Sequence, residues 1–190
     1  MVDAPQLRRT NLKVLLSVLL LFTSGPALAS TYHDFIACTA FDCKQSTGAS
    51  LSNSEWHQVQ ALFKGVKNAA DERRQVKQAI ALLEILVGNK TGTWRDLALN
   101  QIPSEKAGQL DCKAEATNTT TYLRLLEQDG LLKWHRVQDS VVRDRFWLVP
   151  HWTGVIEDQT TGVKYSVDSW FRKNGELPTV VTLERWLNKK

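Results

Sequence analysis

Between residues 51 and 128 the apolar positions of this chain recur at helical spacing, and between 131 and 170 they cluster as they do in strands. Trp56, Val59, Leu62, Phe63 and Val66 form one stripe at the helical period. In front of them Ser52 and Glu55 have capping-box spacing, and Leu51 with Trp56 forms a hydrophobic staple. A second helix is predicted from Asp71 through RRQVKQAIALLEILV to a stop at Gly88, with acids at its start that suit the helix dipole. Its second half is apolar on nearly all sides, which marks it as the central buried helix. Residues 88–111 read as a long connection. A third helix is predicted from Cys112 (CKAEATNTTTYLRLLEQDG), with Tyr122, Leu123 and Leu126 inward and Gly130 just past its end. Its threonine run is poor helix material and points to close packing or polar contacts. Strands are predicted at 131–137, 145–149, 151–157 and 163–170, with a turn over 138–145, and LERWLN closes the chain as a short helix. Residues 30–50 read as irregular. Helices followed by an antiparallel meander define an α+β fold.

The first 29 residues follow a different pattern. Arg8, Arg9 and Lys13 precede the apolar run VLLSVLLLF (14–22), then TSGP, then ALA (27–29), the layout of a bacterial Sec-type signal peptide. Cleavage after Ala29 would leave 30–190 as a single domain in the periplasm or secreted. The apolar run is too short to span a hydrocarbon layer of about 30 Å, so no stable membrane anchor is expected after cleavage. The formal net charge is +4; the leader supplies +2 (Arg8, Arg9 and Lys13 against Asp3), which leaves +2 for the rest. No basic cluster suggests a nucleic-acid partner.

An exported chain sits in an oxidising compartment, where spare thiols pair. Cys38 and Cys43 could form a local disulfide, leaving Cys112 unpaired; alternatively Cys112 takes one of them as its partner. His33, Cys38 and Cys43 lack a standard metal-ligand spacing, so no metal is expected, and no cofactor motif is present.

HWTGVIEDQTTGVKYSVDSW (151–170) reads as a hairpin. A four-residue loop, 158–161, would pair Glu157 with Gly162, Val155 with Lys164, Thr153 with Ser166 and His151 with Asp168. Directly opposed residues share a face with Cβ atoms about 5 Å apart. That register sets an imidazole beside a carboxylate. Cys112 stands at a helix start, where the dipole and a nearby imidazolium favour a thiolate. Nucleophile, base and orienting acid are then all present, and the free N–H groups of the helix end could stabilise an oxyanion.

DC at a helix start, HW opening a strand and Y-x-V-D-x-W on its partner resemble the transglutaminase-like superfamily, which includes bacterial transglutaminase-like cysteine proteinases. The resemblance covers about residues 109–172. It implies a papain/transglutaminase-like fold, with a Cys-bearing helix packed on an antiparallel sheet. It makes Cys112 the nucleophile, His151 the general base and acid, and Asp168 the orienting acid, with Trp152 and Trp170 flanking them in the substrate site. The implied activity is attack on amide bonds of a protein or peptide substrate, by hydrolysis rather than transamidation. Two further readings stand beside it: a papain-like peptidoglycan endopeptidase, and a non-catalytic periplasmic binding module on the same fold. Leu110 and Lys113 replace a glycine and an acid found beside the Cys in some members. Gln109 or Gln101 could donate an amide to an oxyanion, although either is more simply a loop residue. Asp111 reads as a helix cap and Asn118 as structural. His57 and His135 read as surface residues, Glu84 as a satisfied or peripheral carboxylate, and Arg143 and Arg145 as surface charges.

Overall fold

The computed structural model describes Met1 and residues 31–101, 106–145 and 149–188. The leader at 1–29 lies, apart from Met1, outside the described residues. The chain runs β1 (Thr31–Cys38), β2 (Ser46–Ser52), α1 (Asn53–Leu62), α2 (Ala69–Thr91), α3 (Cys112–Gln128), β3 (His135–Arg145), β4 (Val149–Asp158), β5 (Lys164–Asp168), β6 (Thr179–Thr182) and α4 (Leu183–Leu187). The α+β expectation holds. Among the described residues there are four helices, a two-stranded sheet β1-β2 and a four-stranded antiparallel sheet in the order β3-β4-β5-β6.

The helix starts follow from their caps. Ser52 and Glu55 make both bonds of the capping box, and Asn68 caps α2 through the Asp71 N–H. Trp56 and Val59 pack with Val76, Ile80 and Leu83 of α2, Tyr122, Leu123 and Leu126 of α3, and Ile156 and Val167 of the sheet, in one core. On α3, Thr117, Thr120 and Thr121 return their hydroxyls to the carbonyls one turn back. Thr119 lies against Gly154 of β4, where a Cβ would stand 3.1 Å from its methyl. The threonines therefore serve polar contacts and a close helix–sheet approach.

Three expectations are corrected. Residues 31–52 are not irregular: β1 and β2 pair as an antiparallel hairpin, whose Ala37, Ala49 and Leu51 enter the core. Gly88 does not end α2; the helix continues to Thr91 and closes at Gly92, in the left-handed region at φ +86°. Gly88 is instead a close approach, because a Cβ there would lie 2.9 Å from the Trp94 nitrogen. The turn over 138–145 is strand, carried through a bulge between Gln138 and Val141, so β3 is one long element.

Candidate functional site

Cys112 is the first residue of α3, and Asp111 caps that helix by accepting from the Ala114 N–H at 2.9 Å. The N-terminal turn is held from below by the β1-β2 hairpin. Cys38 and Cys43 are joined in a disulfide, and Cys112 is the free thiol. The disulfide packs against Leu110 and Ala114 on either side of Cys112. Asn118 grips the Cys38 backbone through both amide atoms, at 2.8 and 3.0 Å, and is structural as expected. Lys113 pairs with Asp42 at 2.6 Å on the surface. The disulfide consumes both sulfurs of the His33–Cys38–Cys43 set.

The hairpin expectation needs a correction of register. Glu157 pairs with Lys164, and Gly154 with Val167 is the last β4-β5 pair. The loop is two residues longer than expected, with Asp158 and Val163 closing it. Continued outward, this register sets Asp168 opposite Thr153 rather than His151. A two-residue slip preserves side-chain parity, so His151 and Asp168 still share a face and meet diagonally. His151 Nε2 and Asp168 Oδ2 are 2.8 Å apart. Both residues are buried.

Beyond its last β5 pair, β4 meets the thiol. Cys112 Sγ donates to the Pro150 carbonyl at 3.5 Å, and the Trp152 N–H is directed at the same sulfur. The sulfur therefore lies astride the backbone of His151. Burial pushes the thiol above its ordinary range; the Trp152 N–H opposes this, and the anions of Asp111 and Asp168 add to it. Burial thus works against the thiolate that the helix position favours.

In the neutral ring, a carboxylate on Nε2 selects the tautomer with the proton on that nitrogen and leaves Nδ1 as the acceptor. Nδ1 and Asp168 Oδ1 are buried and have no hydrogen-bond partner among the described residues. Aromatic rings enclose the imidazole: Trp170 at 4.8 Å, Phe171 at 5.1 Å and Trp186 at 5.4 Å between centroids. Trp170 anchors the preceding loop, giving its indole N–H to the Asn100 carbonyl at 2.9 Å and receiving the Leu99 N–H on its own carbonyl. Trp152 comes to the site through its backbone, since its ring takes the strand face opposite His151.

Gln109 is a loop tie: its amide donates to the Arg95 carbonyl, and its oxygen accepts from Asn100. Gln101 is exposed. The side chain of Arg145 lies outside the described residues. Arg143 is not a plain surface charge; it pairs with His151 across β3-β4, and its guanidinium lies 4.4 Å over the Trp186 ring. His135 is also corrected. It is buried and held by Glu72 at 2.8 Å, because Glu72 gathers the N–H groups of Lys133, Trp134 and His135 where the chain enters β3. Glu84 is not peripheral either: it is buried, accepts from the Gly175 N–H at 2.9 Å, and keeps one oxygen without a partner among the described residues. With Asp96 and Glu115 it forms a buried acidic group, and Glu115 also feels the charge of Asp168. Sequence reasoning missed Trp186 and this group; neither has a local motif.

Among the described residues no set of His, Cys, Asp and Glu side chains is grouped to hold a metal ion, and no helix is long and apolar enough to cross a membrane. Comparison with protein-family models, curated proteins and solved structures finds no match for this chain.

Proposed function

We propose that the chain is a cysteine peptidase or amidase of transglutaminase-like type, exported to the periplasm or secreted, acting on a protein or peptide substrate. The observation that carries this is the polarity of His151. One ring nitrogen is committed to Asp168, and the other is buried with no described partner, on a residue whose backbone brackets a free thiol.

In this reading His151 Nδ1 takes the Cys112 proton as sulfur attacks the scissile carbonyl. Asp168 holds the ring and its developing charge. The carbonyl oxygen becomes an oxyanion beside the Cys112 and Lys113 N–H groups, which helix geometry leaves without intrahelical acceptors. Collapse breaks the C–N bond, and the imidazolium gives its proton to the leaving amine. Water, deprotonated by His151, then attacks the thioester; the carboxylic acid departs and the proton returns to sulfur. The Cys-bearing helix against an antiparallel sheet suits a papain/transglutaminase-like arrangement, and the Trp170 ring and the Trp152 backbone border the substrate site.

The raised thiol favours a second reading, a non-catalytic module on the same fold, since an inert buried thiol would also be protonated. Alkylation by iodoacetamide near neutral pH separates them. The enzyme reading expects labelling of the native chain, none of Cys112→Ala, and slowing by at least about tenfold in His151→Asn. Labelling of His151→Asn at the native rate would leave the module.

A further inference from the structure

The C-terminal helix α4 has five residues and exposes Glu184, Arg185 and Leu187, yet Trp186 is 2% exposed. Its indole N–H donates to Asp168 Oδ2 at 2.7 Å, the same oxygen that holds His151. Its ring lies nearly parallel to the imidazole, at an interplanar angle of 30°.

We infer that Trp186 is the positioning residue of the His151–Asp168 pair. The inference rests on the thiol-enzyme reading for its purpose, and on the geometry of the pair alone for its content.

A buried indole needs one acceptor, and a backbone carbonyl suffices, as Asn100 does for Trp170. Trp186 instead uses a carboxylate oxygen that already has a donor. One donor on one oxygen leaves a carboxylate free to turn about Cβ–Cγ and slide along the ring edge. Two donors converging from different elements fix that torsion, and with it the nitrogen that keeps the proton.

Trp186 is itself braced. The Arg143 guanidinium covers its ring, and Arg143 Nη1 donates to its carbonyl. Because Arg143 faces His151 across the sheet, the two strands flanking the imidazole are both tied to it through Trp186. The other titratable groups near the pair are Cys112 on α3 and Glu115, one turn further along that helix. Neither is a donor to the Asp168 oxygens.

Solution NMR on the native chain tests the geometry without substrate. The Trp186 indole proton and the His151 Nε2 proton converge on one oxygen, so a nuclear Overhauser contact between them is expected; its absence overturns the inference. Trp186→Phe keeps a ring over the imidazole and removes the donor. In the folded variant, exchange of the His151 Nε2 proton with water should quicken about tenfold, the equivalent of one hydrogen bond to a charged group. Iodoacetamide labelling of Cys112 should slow by a similar factor. Trp56→Phe, which removes an equally buried indole bonded to Asp129, should leave both rates unchanged. Native rates in folded Trp186→Phe, or equal changes in the Trp56 control, would overturn the positioning role. If Trp186→Phe does not fold, the Overhauser contact decides. If His151→Asn labels at the native rate, the enzyme reading fails while the contact and the exchange rate still decide the role of Trp186.

Discussion

Glu84 makes stability depend on pH in a direction opposite to that of most carboxylates. Burial pushes its carboxyl from 4.5 up to about 7; a hydrogen bond from Ser169 and the Gly175 N–H oppose this, and the charge of Asp96 adds to it. The folded chain therefore holds a proton that the unfolded chain has released once the pH exceeds about 4.5. That stabilisation is complete below the unfolded value, declines as pH rises toward the folded value, and is gone above it. At about 1.4 kcal/mol per tenfold change, the difference comes to about 3 kcal/mol. Burial also raises Asp96 and Glu115, so both act in the same direction. Urea unfolding should show the chain more stable at about pH 5 than at about pH 8. Glu84→Gln, which keeps the shape and cannot ionise, should remove about 3 kcal/mol of that difference, chiefly by gaining stability at the higher pH. A variant with the pH dependence of the native chain, or a native chain more stable at the higher pH, would refute the assignment of a buried protonated carboxyl.

Three further outcomes can be checked. Asp111→Asn keeps a good cap but removes an anion that disfavours the thiolate. Stability should hold within about 0.5 kcal/mol while iodoacetamide labels Cys112 faster, and slower labelling would contradict the electrostatics. Glu72→Ala strands three consecutive N–H groups and the His135 ring. It should cost about 3–5 kcal/mol in urea unfolding, and a loss below about 1 would mean that water replaces the carboxylate. Gly108→Ala puts a Cβ 2.2 Å from the Gly92 carbonyl oxygen at φ +82°, so a loss of at least about 2 kcal/mol is expected, and a neutral result would show that the two loops can separate.

Local signals were readable and long-range ones were not. The Ser52–Glu55 box and the Asp111 cap act within three residues, so their spacing in the chain is their spacing in space. The pairing of His151 with Asp168 was reached through a register that was wrong by two residues, and it survived because strand parity depends only on an even or odd count. Gly88 shows the opposite case. A glycine late in an apolar helix looks like a stop, and only the approach of Trp94, from beyond the helix end, reveals a packing glycine. Trp186 could not be found from its neighbours, because its partner lies eighteen residues away on another element.

Among the described residues there are two buried histidine–carboxylate pairs with the same 2.8 Å contact, and pattern alone cannot rank them. Their saturation can. At Glu72 the carboxylate receives three backbone N–H groups besides the His135 ring. The other ring nitrogen of His135 faces Arg73 at 3.0 Å and must accept, because a guanidinium only donates. Both ring nitrogens and both carboxylate oxygens have partners there, and the pair fastens α2 to the sheet. At Asp168 one carboxylate oxygen and one imidazole nitrogen are left without partners among the described residues. The unfilled nitrogen belongs to the residue whose backbone cradles the free thiol. That difference in saturation, rather than the presence of a His and an acid, distinguishes the pair beside Cys112 from the pair at Glu72.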